Sequence, residues 1–108
     1  MVAYVGAHGN AWNNVATGED GVSKIFDTGS LPNIAVFGRI SDDSNIDLYV
    51  SADGTNFYKC MALSEKLPGN SGGSTAVDFH VYFTSGARFI RLKSSVDVTA
   101  TITISAKR

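Results

Sequence analysis

Val96-Asp97-Val98-Thr99-Ala100-Thr101-Ile102-Thr103-Ile104-Ser105 decides the fold. Apolar and polar residues alternate through it without a miss. A period of two places successive side chains on opposite faces of a strand, one buried and one wet, as in an antiparallel sheet. The same alternation returns upstream. Ile46, Leu48 and Val50 alternate with Asp47, Tyr49 and Ser51; Val77, Phe79, Val81 and Phe83 alternate with Asp78, His80 and Tyr82; Ile90 and Leu92 alternate with Arg91 and Lys93. Ile34, Val36 and Ile40 line one side of a further strand, with Gly38 as a gap. Shorter candidates run over 22–26 and 57–63.

Between these runs lie turn-forming clusters at 28–33, 41–45, 68–74, 85–86 and 94–95, and Asp53-Gly54 reads as a tight hairpin turn of type I′. With two glutamates, no glutamine, twelve serines and eight threonines, the chain is poor in helix formers and rich in strand and turn formers. The reading is an all-β, single-domain antiparallel β-sandwich of jelly-roll or Greek-key type over residues 1–108, with roughly seven or eight strands. Residues 1–18 lack sustained alternation and read as an N-terminal arm, or a loosely attached edge.

At 108 residues, with 44% hydrophobic and 18% charged residues, the chain can bury one core. Nine basic against ten acidic residues leave no basic excess to neutralise phosphates, which argues against a nucleic-acid binder. No apolar run reaches the roughly 18 residues of a membrane span. Met1–Asn10 lacks the basic and apolar regions of a secretion signal, so synthesis in a host cytoplasm is expected. The single cysteine, Cys60, excludes an internal disulfide and reads as a small apolar residue within a strand.

Candidate chemistry is sparse. His80 falls on the polar side of its strand and His8 in a Gly-rich stretch, and no Gly-x-Ser-x-Gly elbow accompanies them. Asp42, Asp43, Asn45 and Asp47 lack the glycine and terminal glutamate of a calcium loop and read as acidic turn residues. The glycine-rich run 69–74 has no helix start behind it to hold a phosphate. No catalytic residue, metal site or cofactor is expected. Most of the aromatic residues read as core, while Trp12, Tyr4, Tyr49 and Tyr82 are the candidates for contact-making rings, with Trp12 either the anchor of the arm or a plug for the open end of its own sandwich.

Leu48-Tyr49-Val50-Ser51-Ala52-Asp53-Gly54-Thr55-Asn56-Phe57-Tyr58 is similar to a strand-turn-strand of discoidin-like (coagulation factor type C) domains, and Ala87-Arg88-Phe89-Ile90-Arg91-Leu92 resembles another strand of the same jelly rolls. The chain also resembles the small β-sandwich virion proteins of tailed phages, which decorate capsids or associate with tails. That resemblance implies a non-enzymatic virion structural protein acting through self-association, as a trimer or other homo-oligomer, and through binding to capsid or tail proteins. The discoidin-like resemblance implies the alternative, a glycan-binding module.

Overall fold

The computed structural model describes residues 6–42, 44–64, 67 and 77–108, so the glycine-rich run 69–74 lies outside the described residues. The described residues form nine strands: β1 (Gly6–Ala16), β2 (Gly21–Val22), β3 (Phe26–Asp27), β4 (Asn33–Ile40), β5 (Ile46–Ser51), β6 (Tyr58–Lys59), β7 (Val77–Thr84), β8 (Phe89–Ser94) and β9 (Thr99–Lys107). A single helical turn, α1 (Met61–Ser64), follows β6. Among the described residues no helix is long and apolar enough to cross a membrane.

Sheet A runs β1-β9-β4-β7 and sheet B runs β2-β8-β5-β6, with β3 also on β8; every pairing is antiparallel. The chain passes back and forth between the sheets, as in a jelly roll. The protein is thus an all-β antiparallel sandwich. Alternation dictates which side chains meet between the sheets. Ala100, Ile102, Ile104 and Ala106 of β9 and Ile34, Val36 and Ile40 of β4, from sheet A, share one buried cluster with Ile46 and Leu48 of β5 and Ile90 and Leu92 of β8, from sheet B.

Four local expectations are corrected. Of the two readings of 1–18, an arm or a loosely attached edge, the arm does not hold over residues 6–16, which form an edge strand paired along β9. Two extra residues, Ala11 and Asn14, oppose no partner, and Asn14 takes a positive φ of 53°. Each bulge shifts the inside-outside parity by one, so Ala11 and Trp12, adjacent in sequence, are both buried. This hides the period of two. Secondly, β9 begins at Thr99. Val96 and Val98 belong to a turn, where the Thr17 amide donates to the Val98 carbonyl (2.8 Å) and the Thr17 hydroxyl to the Val96 carbonyl (3.1 Å).

Thirdly, 57–63 is not one strand. Cys60 is half-buried at the start of α1, its amide donating to the Leu48 carbonyl (2.8 Å), and the Ser64 hydroxyl accepts from the Leu48 amide (2.9 Å). The 22–26 candidate breaks likewise into β2 and β3, and in the gap the Ser23 hydroxyl accepts from the Leu92 amide (2.9 Å). Serine hydroxyls therefore satisfy strand donors that these short edges leave open.

Lastly, Asp53-Gly54 lies in a turn, but not one of type I′, since Gly54 has a φ of 80° and Asp53 has no positive φ. Residues 52–57 instead wrap the Asp53 carboxylate. Its Oδ1 accepts from the Thr55 and Asn56 amides and the Ser51 hydroxyl, and its Oδ2 from the Asn56 side chain, all at 2.9 Å. These donors favour the ionised form and hold the carboxyl far below the usual range, the Asn56 amide contributing most. A carboxylate whose folded pKa is depressed contributes stability that is complete above its unfolded pKa and lost as the pH falls through the folded one. Arg88 depresses Asp27, and Arg39 depresses Asp78, in the same direction. Tm is therefore expected to fall steadily from about pH 4 downward, and Asp53→Asn should flatten that acid limb. An unchanged Tm-pH curve in the variant would show that the loop does not depend on the charge.

Candidate functional site

The outer face of sheet A is built by register. In β4 the residues between the buried Ile34, Val36 and Ile40 point outward, so Asn33, Ala35, Phe37 and Arg39 face solvent. The β7 register sets Tyr82 opposite Ala35, His80 opposite Phe37 and Asp78 opposite Arg39. On the other flank, Ser105, Thr103 and Thr101 of β9 oppose the same three β4 residues, and Asn10 of β1 extends the Thr103 row. Each row thus crosses the sheet, from polar side chains on β1 and β9 to rings and charges on β4 and β7.

The rings form a ladder. Phe37 and His80 meet edge to face, with centroids 5.5 Å apart at 76°, and His80 meets Tyr82 at 5.0 Å and 74°. These are favourable quadrupolar arrangements. Tyr82 remains 72% exposed and Phe37 39%, so the ladder holds itself in shape while still presenting its surface to solvent. Next to it Arg39 grips Asp78 through both carboxylate oxygens, Nη2 donating to Oδ2 at 2.9 Å. The guanidinium holds the Asp78 carboxyl below its ordinary range, and the carboxylate raises Arg39. Such an exposed pair adds little stability and fixes two side chains in place. On the far flank the Thr103 hydroxyl donates to Asn10 Oδ1 (2.9 Å).

Two open hollows flank His80. One, of about 830 Å³, lies between Phe37, Arg39, Asp78 and Thr101; the other, of about 530 Å³, lies beside Tyr82, Asn33, Ser105 and Lys107. A surface of fixed rings, a forked ion pair and hydroxyls can bind another molecule by stacking and hydrogen bonding. The ring neighbours of His80 are Phe37 and Tyr82, and the Asp78 carboxylate is engaged by Arg39. Among the described residues no group of three or more His, Cys, Asp and Glu side chains is placed to hold a metal ion.

Of the four residues singled out from sequence, the three that the structure describes, Trp12, Tyr49 and Tyr82, are not brought together. Trp12 is 5% exposed and packs in the chain's own core, which corrects its reading as an external anchor. Tyr4 lies outside the described residues. Tyr49 is half-buried on the opposite sheet, in a hollow of about 130 Å³ with Asp20, Val22, Arg91 and Lys93. There the Arg91 guanidinium stacks 4.2 Å above the Phe57 ring. Asp47, read as an acidic turn residue, lies instead in β5 and pairs with Lys59 at 3.6 Å. Among the described three, only Tyr82 lies in the aromatic ladder. Phe37, not singled out from sequence, and His80, read as a solvent-facing sheet residue, are its other members. Period two on 78-80-82 and 35-37-39 marks both faces, but their meeting needs the β4–β7 register.

No family model and no curated protein matches the chain. Among solved structures it is similar to CpGH89CBM32-6 of Clostridium perfringens, with 15% identity, coverage of 96% of this chain and 94% of the other, and a TM-score of 0.53. It is also similar to the SPBc2 prophage-derived protein YomS, with 16% identity, coverage of 100% and 99%, and a TM-score of 0.55. At these identities the likeness is one of fold: a single sandwich matched end to end.

Proposed function

We propose that the chain is a non-enzymatic structural protein of a phage virion, which binds the capsid or tail and its own copies. The exposed ladder Phe37–His80–Tyr82 carries this reading. Rings fixed by one another lose little freedom on binding, and aromatic residues are enriched where partners are held. Repetition of one such contact over a particle lattice gives avidity from modest single-site affinity. The full-length likeness to a prophage-derived chain supports the same direction, as a likeness of fold.

A second reading, glycan binding, is favoured by one observation. The hollow beside Phe37 sets a ring next to a forked Arg39–Asp78 pair and the Thr101 hydroxyl, a mixture suited to sugar faces and hydroxyls. The carbohydrate-binding designation of the Clostridium perfringens neighbour supports that alternative.

Light scattering of the purified chain, an oligosaccharide panel, and co-sedimentation with phage particles from a lysate that produces it separate the two. The virion reading expects oligomers and co-sedimentation without sugar affinity. Phe37→Ser should remain folded and lower co-sedimentation by about tenfold or more, equivalent to about 1.4 kcal/mol. A monomer with reproducible sugar affinity and no particle binding overturns it in favour of the glycan module.

A further inference from the structure

Sheet edges expose unpaired amides and carbonyls and are ordinarily blunted by short strands, bulges, proline or charge. Sheet B follows this rule, since β2, β3 and β6 are two residues each. The β1 edge of sheet A follows it too. It carries two bulges, and its Ala11 carbonyl accepts a 3.4 Å bond from the Lys24 amide. The remaining edge does not. β7 is eight residues, Val-Asp-Phe-His-Val-Tyr-Phe-Thr, without proline or lysine. Its register on β4 is unbroken from Asn33–Thr84 to Ile40–Val77, and among the described residues it pairs with β4 alone.

The sequence of β7 reads nearly alike in both directions about Val81. Phe79 mirrors Phe83, His80 mirrors Tyr82, and Asp78 mirrors Thr84. This pattern suits a strand that pairs antiparallel with its own copy around a two-fold axis, because each residue then faces its mirror position and like meets like on each face. We propose that the β7 edge binds a second copy of this chain in that way, with Val81 on the axis.

Residues directly opposite in an antiparallel pair share a face of the sheet. On the inner face Phe79 would meet the partner's Phe83, and Val81 the partner's Val81. Phe79, Val81 and Phe83 are only partly buried against the core, so the contact covers apolar surface that the single chain leaves open. On the outer face His80 would meet the partner's Tyr82, continuing the Phe37–His80 stack across the junction. Asp78, already held by Arg39, would meet the partner's Thr84, so no like charges face each other. The two four-stranded sheets become one, and the assembly order of this contact is two rather than three.

This inference rests on the assembly reading above and names the partner and the surface. Its test uses the full chain with Cys60→Ser, which removes the single cysteine, and adds Val81→Cys, His80→Cys, Tyr82→Cys or Thr84→Cys in turn. Only a residue on the axis lies within disulfide reach of itself. With oxidised glutathione, Val81→Cys is expected to give a linked dimer on a non-reducing gel, while Thr84→Cys stays unlinked. Tyr82→Glu sets a carboxylate diagonal to the partner's Asp78 and should raise the dimer dissociation constant at least tenfold, with the circular dichroism spectrum unchanged. Linkage through His80→Cys or Tyr82→Cys in place of Val81→Cys overturns the Val81 register. Oligomers that survive Tyr82→Glu and link at none of the four positions overturn β7 pairing and leave the assembly reading standing. A chain that is monomeric at every concentration overturns both.

Discussion

Trp12→Ala is expected to destabilise the domain by about 3–5 kcal/mol, a fall in Tm of roughly 12 °C or more for a chain of this size. The side chain is 5% exposed and lies with Ala11 on the inward side of β1, among the buried residues of the sandwich. The bulge at residues 10–12 turns both inward, so truncating the indole opens a cavity where β1 meets the rest of the core. Stabilities of roughly 5–15 kcal/mol are usual for such domains, so this one change removes a large share. Urea unfolding of the variant reads it directly. A variant that keeps wild-type stability but loses an oligomer or its particle binding would show that Trp12 reaches outward after all.

The same residue shows where a period of two stops being readable. β5 alternates through Ile46–Tyr49 and then breaks, with Val50 half-buried and Ser51 buried. β8 and most of β9 are regular, so Phe89–Ser94 and Thr99–Ser105 could be assigned from alternation alone, faces included. β1 could not. Its bulged residues Ala11 and Asn14 reverse the parity twice, and a strand with two reversals looks irregular in sequence. The position of the Asp53-Gly54 turn was legible from the dipeptide, whereas its conformation is set by donors two and three residues from Asp53, the Ser51 hydroxyl and the Thr55 and Asn56 amides, which the dipeptide alone does not name. The ladder was illegible for a different reason. Tyr82 could be identified by type, but Phe37 and His80 are separated by most of the chain's middle and meet only through the β4–β7 register. Non-local pairing carries the site, and no local pattern encodes it.

Gly38→Ala is expected to destabilise the sandwich by about 3 kcal/mol or more, although removing a glycine from a strand interior ordinarily gains about 0.5–1 kcal/mol. Gly38 lies in β4 between its two neighbours, opposite Ile102 of β9 and Phe79 of β7. A Cβ there would stand 2.0 Å from the Thr101 carbonyl oxygen and 2.8 Å from the Ile102 Cα. Those are backbone atoms of the strand that also carries β1, so relief requires moving β9 and with it the β1 ladder. A flexible side chain could swing away; a central strand cannot. The gap read at Gly38 from sequence is thus a close approach of two backbones, and it underlies the hollow between Phe37 and Arg39. Gly86→Ala is the matched control, since nothing lies within 4 Å of its added Cβ, and it should stay within about 0.5 kcal/mol of wild type. If thermal melts show Gly38→Ala as stable as Gly86→Ala, β4 and β9 are further apart than this packing requires.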